Sequence, residues 1–342
     1  MGRVALVAHS LLVGGLVVTG TAQAQQFESL GTRALGMGGA FVAVADDATA
    51  GYWNPAGIAT GPTFNALFDW TAGEAGEPGD RAVGVSSLAS EGSAQIIALS
   101  LPSVGVSYYR IRSAAIRPGS GAGAPTGTII DSLVTQQIGG TFVHTLISDL
   151  VVGTTIRVAH GVVSSGSVPG GRVRDVLEAA GNFEGRGTTQ FDLDVGAMYA
   201  FPGGRIGLSI RNLTEAEFAG MQPTDPTVTL QRLARVGAAW TPGRHGAAPP
   251  TTTTVAVDVD LTEFHDPHGD QRNLAIGAEH WLAARRLGVR GGFRINTLEA
   301  SERTGSFGAS WTPGRGAYVD GQLTRGTQSA DRNSALSLRI TF

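Results

Sequence analysis

Segments of about ten residues in which apolar and polar side chains alternate recur along most of the chain, and few folds accept that pattern. In the last segment Leu336, Leu338, Ile340 and Phe342 share one face, with Ser337, Arg339 and Thr341 on the other. Around 191–201, Phe191, Leu193, Val195, Ala197, Tyr199 and Phe201 oppose Asp192, Asp194 and Gly196. Val255, Val257, Val259 and Leu261 oppose Asp258 and Asp260; Ile206, Leu208 and Ile210 oppose Arg205, Ser209 and Arg211. Leu287, Val289, Phe293 and Ile295 oppose Arg286, Arg290, Arg294 and Asn296. A period of two is the strand period, so the chain is all-β.

The first residues carry the marks of export. Arg3 precedes an apolar run, Leu11–Val18, and Ala22-Gln23-Ala24 is a small-x-small cleavage site. Residues 1–24 therefore read as a signal peptide. The apolar run is shorter than the ~20 residues a spanning helix needs, and no later stretch approaches that length. Backbone in lipid must satisfy its hydrogen bonds internally, which leaves closed barrels as the strand-built way across. A soluble sandwich alternates too, but aromatics sit on the apolar face directly before short turns: Phe201 before Pro202-Gly203, Trp240 before Thr241-Pro242 and Trp311 before Thr312-Pro313. That is the position of an interfacial girdle. The apolar face of the last segment ends on Phe342, the residue through which we expect the outer-membrane assembly machinery to engage the chain.

Fifteen segments alternate, and single-chain bacterial barrels carry an even number of strands. The poorest, 81–89, is interrupted by Gly84, Ser86 and Ser87 and belongs in a loop. The reading is a 14-stranded antiparallel transmembrane β-barrel over residues 62–342, placed in the outer membrane and in contact with its lipid. Short connections (near 102–103, 146–148, 202–204, 283–285 and 313–314) alternate with long ones (near 113–130, 164–186 and 214–227), the periplasmic and outer ends respectively. Residues 175–184 suit a short helix. Composition agrees: 15% of residues are charged and the net charge is -3, which gives no electrostatic case for nucleic-acid binding. Cysteine is absent, and 50 glycines, about twice the usual ~7% share, imply many turns and close-packed strands.

Residues 25–61 do not alternate at membrane length. From Gly36 to Gly57 the chain is small, apolar and glycine-punctuated, with Gly36, Gly38 and Gly39, an acidic pair Asp46-Asp47 suited to starting a short helix through Ala48–Trp53, and a turn at Asn54-Pro55-Ala56. Before the first strand, such a segment suits a plug in the lumen. This run resembles the N-terminal hatch of the FadL family of outer-membrane proteins, particularly its PorV/PorQ-type branch, in which Gly-Met-Gly-Gly-Ala leads through an acidic Ala-rich stretch to Asn-Pro-Ala. The resemblance implies a monomeric fourteen-stranded barrel with Asn54-Pro55-Ala56 inside its periplasmic half. It also implies either passive passage of small hydrophobic or amphipathic molecules or, as in PorV-type relatives, a barrel that holds exported proteins. This chain is shorter than the long-chain fatty-acid transporters and its outer loops look small and polar, so a fatty acid is not the expected ligand. A permanently closed envelope barrel is a third reading.

Arg157, Arg211, Arg290, Arg294 and Arg339 share the inward face with Asp192, Asp194, Asp258 and Asp260. They read either as a polar conduit or as ion pairs filling a narrow lumen; the second is the simpler, because an unpaired buried charge is costly. His265-Asp266-Pro267-His268 offers possible metal ligands but no fixed geometry and no fourth donor, and it reads as a solvated loop. His280 lies on the apolar face and reads as interfacial. Gly36-Met37-Gly38-Gly39 is not a dinucleotide fingerprint, because Phe41 stands where the third glycine belongs. No catalytic, cofactor or metal site is expected, and the chain reads as a non-enzyme.

Overall fold

The computed structural model describes residues 30–84, 87–117, 128–168, 170–221, 225–242, 252–298, 302–327 and 331–342. The signal segment 1–24 and the first residues of the plug lie outside the described residues. The strands are β1 (Asn65–Gly76), β2 (Ala89–Leu101), β3 (Val104–Arg117), β4 (Thr128–Ile147), β5 (Leu150–Val168), β6 (Arg186–Phe201), β7 (Gly204–Arg211), β8 (Glu217–Ala219) and β9 (Thr227–Thr229). They continue with β10 (Leu233–Trp240), β11 (Thr252–Asp260), β12 (Phe264–Asp266), β13 (Gly269–Gln271), β14 (Asn273–Leu282), β15 (Leu287–Asn296), β16 (Arg303–Gly314), β17 (Ala317–Gly326) and β18 (Arg332–Thr341). Fourteen of them close an antiparallel barrel in the order β1-β18-β17-β16-β15-β14-β11-β10-β7-β6-β5-β4-β3-β2, with β1 sealing against β18 from Asn65↔Thr341 to Glu74↔Arg332. β8–β9 and β12–β13 are separate two-stranded hairpins.

Closure leaves the barrel sheet without an edge, and alternation then sorts the side chains. Phe68, Ile97, Ile138, Phe191, Phe307 and Leu336 face outward and are exposed. An apolar band around a closed barrel has no stable exposure to water and matches the lipid-facing belt of an outer-membrane barrel. Phe201, Trp240 and Trp311, at the short-turn end, are exposed as well, whereas Trp281 points inward and is buried. Residues 81–84 form no barrel strand: Val83 donates its amide to Gly171 at 2.9 Å, outside the wall.

The wall is uneven. β4 and β5 run for 20 and 19 residues, while β7, β10 and β11 have 8, 8 and 9. Alternation alone would carry two of those short strands further, since 228–230 and 261–262 keep a strand-like pattern. The chain leaves the wall at Asn212 instead, which is buried in a left-handed conformation (φ 54). Beyond it the β8–β9 hairpin folds inward, and Phe218, Val228 and Leu230 bury against Leu133, Ala159 and Val163 of the inner wall. Helix α3 (Val173–Ala179) packs Val173, Val176 and Leu177 against Ala114, Ile116 and Ile130.

Candidate functional site

Residues 30–61 lie inside the barrel, in the half nearer the short turns. They form α1 (Thr32–Gly36), α2 (Ala50–Trp53) and a 3-10 turn, Pro55–Thr60, joined by irregular backbone. Phe41, Tyr52 and Trp53 are fully buried and meet edge-to-face, Phe41 on Trp53 at 5.8 Å and Tyr52 on Trp53 at 6.1 Å between centroids. Tyr52 also meets Tyr109 of β3 at 5.7 Å.

Irregular backbone is tolerated at membrane depth only where protein satisfies it, and here the inner wall supplies the partners. Asp258 accepts the amides of Phe41 and Val42, both at 2.8 Å. Asp69 accepts Thr32 N at 2.7 Å. Thr155 Oγ1 donates to Gly51 O at 3.0 Å, Arg235 to Gly39 O at 3.3 Å and Arg205 to Val44 O at 3.3 Å. Trp53 Nε1 donates to Leu30 O at 3.2 Å, closing the segment on itself.

Close approach needs an absence of side chains as much as hydrogen bonds. Inward positions of β5, β6, β7, β14 and β15 are glycine where the segment passes: Gly153, Gly196, Gly207, Gly277 and Gly292. A Cβ at residue 207 would stand 2.7 Å from Val42 O; one at 153 or 277 would press into the backbone of Ala56 or Met37. Several pair across strands, Gly153 with Gly196 and Gly277 with Gly292, so the wall carries a shaved track. The high glycine content expected of turns and tight strands serves this contact too.

Gly36 abuts the Arg290 side chain, and Gly38 turns left-handed (φ 68) beside the Gly292–Phe293 backbone, where a Cβ would lie 2.7 Å from Phe293 N. Asp47 caps the approach to α2, accepting from Thr49 N at 2.9 Å. Asp46 pairs with Arg33, whose guanidinium also grips Glu279 of β14 through Nε and an Nη at 2.8 and 2.7 Å, a bidentate fork. Burial works to raise the Asp46 carboxyl, but Arg33 and Arg205 outweigh it and hold the group below its ordinary range. The Arg33 guanidinium is held well above its ordinary value, because Asp46, Glu279 and Asp47 outweigh its own burial. Asn54 accepts from Ala56 N at 3.2 Å, which starts the 3-10 turn, and donates to Val42 O at 2.9 Å and to Ala197 O of the wall at 3.2 Å. Pro55-Ala56 rests on Gly153.

The inward charges form separate clusters. Arg157 bonds Asp192 at 2.5 Å, Asp194 at 2.7 Å, Asn212 at 2.8 Å and Gln137 at 2.6 Å, with the arginine and both carboxylates wholly buried. Arg211 lies over the Tyr52 ring at 3.4 Å and 3.9 Å from Asp194. Arg290 reaches Glu279 at 3.4 Å and Asp320 at 3.2 Å; Arg339 reaches Asp320 at 3.8 Å. Asp260 binds Arg235 at 2.5 Å, and Arg294 sits higher, among the residues that line the cavity above. Sequence reasoning left out Asp69, Arg235, Glu279 and Asp320, although each holds an inward position that the same alternation marks. Arg33, Tyr52 and Asn212 lie off the strands, where parity gives no signal. In the outer loop His265 meets Asp270 and His268 meets Ser90 at 2.9 Å; no metal-holding group of acids and histidines occurs among the described residues. His280 faces outward and bonds Thr253 at 2.8 Å.

Above the segment the lumen opens into a cavity of about 270 Å³. Its floor is Leu35 and Gly38 of the segment, and the β12–β13 hairpin hangs over it through Phe264 and His268.

No protein-family model matches the sequence, and no curated protein matches it. Solved structures do match. The CymD monoaromatic hydrocarbon channel superposes with a TM-score of 0.59 at 13% identity, over 93% of this chain and 99% of that one. The Ralstonia pickettii toluene transporter TbuX gives 0.58 at 13%, over 92% and 99%, and a Pseudomonas aeruginosa FadL homologue 0.52 at 10%, over 90% and 97%. These neighbours are channels and transporters rather than enzymes. The chain therefore has the fold of the FadL-type hydrocarbon channels, a closed fourteen-stranded barrel of the outer membrane.

Proposed function

We propose that the protein is a passive transporter of small hydrophobic or amphipathic molecules across the outer membrane, with residues 30–61 acting as a hatch. The observation that carries this is the placement of that segment: it stops the lumen directly beneath a cavity of small-molecule size. The hydrocarbon-channel neighbours support the same class of cargo. A molecule entering from outside rests on Leu35 and Gly38 and goes further only when the segment shifts.

A cross-link tests the shift. A Cβ at residue 51 would lie 2.9 Å from Thr141 Oγ1, close to the roughly 3 Å that an S–S bond sets between one Cβ and the opposite Sγ, and the chain has no cysteine of its own. Gly51→Cys with Thr141→Cys should form the bond on oxidation, halt uptake of an amphipathic probe and recover it on reduction. Uptake unaffected by the bond would remove the hatch from the pathway. The secretion-associated, PorV-like alternative is carried by the Gly36–Gly57 resemblance alone. It predicts that deleting the gene strands exported proteins in the periplasm while probe uptake is unchanged.

A further inference from the structure

The cavity above the hatch has two chemically different sides. Leu35, Ile111, Leu133 and Phe264, all buried, give it an apolar patch on the hatch, β3, β4 and the β12–β13 hairpin, bordered by Ser113 and Thr135. Six places round the wall from β4, at β16, and onward through β17 and β18, the lining turns to hydroxyls and amides. Ser306 and Thr324 share a hydrogen bond at 3.0 Å, Thr324 donates to Gln322 at 3.0 Å, and Gln322 donates to Asn333 at 2.6 Å. Ser306, Thr324 and Asn333 all line the cavity. A plain hydrocarbon would strip water from these groups without replacing its bonds, and unmatched polar groups cost affinity.

The rim carries charge, much of it already engaged. Arg332 holds Glu74 at 2.8 Å, Glu302 accepts from the amides of Gln271 at 2.6 Å and Asn296 at 3.2 Å, Asp331 accepts from Gly76 N at 3.1 Å and Asp266 from His268 N at 2.7 Å. Engaged groups leave an ion less to bind. A volume of about 270 Å³ stands near the lower bound of small-molecule sites, about 300 Å³, and admits one ring or a short chain.

Resting on the transport reading above, we propose that this cavity selects a neutral amphiphile: a small apolar body against Ile111 and Leu133, and a hydroxyl or amide head bonded to Ser306, Thr324 and Asn333. A monohydroxylated aromatic fits it better than the corresponding hydrocarbon.

The test compares p-cresol with toluene, which differ by one hydroxyl, by calorimetric titration of the full chain in nanodiscs with empty-nanodisc subtraction. The wild type should bind p-cresol at least about fivefold more tightly, the worth of one net hydrogen bond. Ser306→Ala with Thr324→Val and Asn333→Leu should bring p-cresol down to the toluene level and leave toluene equal or tighter. Thr324→Val alone, nearly isosteric, should give part of the same shift; unboiled gel mobility verifies that each variant is folded. Toluene binding as well as p-cresol, a ratio untouched by the variants, or no binding of either by the wild type would each overturn the selectivity. Such a result leaves the hatch reading standing if the Gly51–Thr141 bond still blocks uptake; loss of that block removes the transport reading and not the binding preference.

Discussion

Gly196 of β6 faces the Asn54 side chain of the hatch so closely that no Cβ fits between them: any side chain there would overlap Oδ1 of Asn54 and lie 2.9 Å from Pro55 Cδ. The carboxamide occupies that gap while bonding Ala197 O on the wall. Overpacking of this kind costs about 1–3 kcal/mol, and the cost falls on docking, because the neighbouring outward residues Val195 and Ala197 are untouched. Gly196→Val should assemble as a barrel and leak. Planar-bilayer recordings should show openings some 5–150-fold more frequent than in the wild type, the factor that follows from the same range.

Arg157 is the sole guanidinium within bonding distance of Asp192 among the described contacts, and it shares Asp194 with Arg211. Arg157→Met should destabilise the barrel by about 3–5 kcal/mol, since it leaves buried carboxylates short of their partner. Adding Asp192→Asn and Asp194→Asn should restore most of that loss. Urea titration of gel mobility reads both steps.

Acid should loosen the hatch before it unfolds the wall. The Asp46 carboxyl is held below its ordinary value of 3.8 by Arg33 and Arg205. Its contribution to docking is therefore complete above that value and disappears as pH falls through the lower, docked-state value. The part of any acid-induced conductance that depends on Asp46 should appear only below about pH 4. Asp46→Asn should conduct more at neutral pH and lose that part of the rise.

Phe218 lies on Gly161 of β5, where a Cβ would come within 2.6 Å of its ring. Gly161→Val should lift the β8–β9 hairpin from the inner wall and expose the chain around 214–230 to protease. Limited proteolysis followed by mass mapping should find new cuts there at least about fivefold faster than in the wild type, consistent with a docking loss of about 1–3 kcal/mol.

Alternation made the barrel legible. Asp192, Asp194 and Asp258 fall inward because their neighbours Phe191, Leu193 and Val257 must face lipid, and strand number follows from closure. The same parity rule reaches Glu279 and Asp320, which sequence reading passed over because single acids stand out less than pairs. What the charges do was less legible. Asp258 reads in sequence as half of an ion pair, yet its carboxylate clamps two hatch amides, a partner hundreds of residues away that no local pattern announces. The short β7 was hard to read for a related reason: Asn212 ends the strand through a left-handed turn held by Arg157 and Asp194, partners on other strands. Glycine content pointed to turns, and only the packed hatch explains why Gly153, Gly207 and Gly277 interrupt the inner face of strands.

Planar-bilayer conductance of the chain lacking residues 30–61, with the export segment kept, tests the hatch most directly. The wild type should be nearly silent, and the shortened chain should give a steady open pore. A wild type already open at that level, or a shortened barrel that folds and stays closed, would contradict a lumen stopped by this segment.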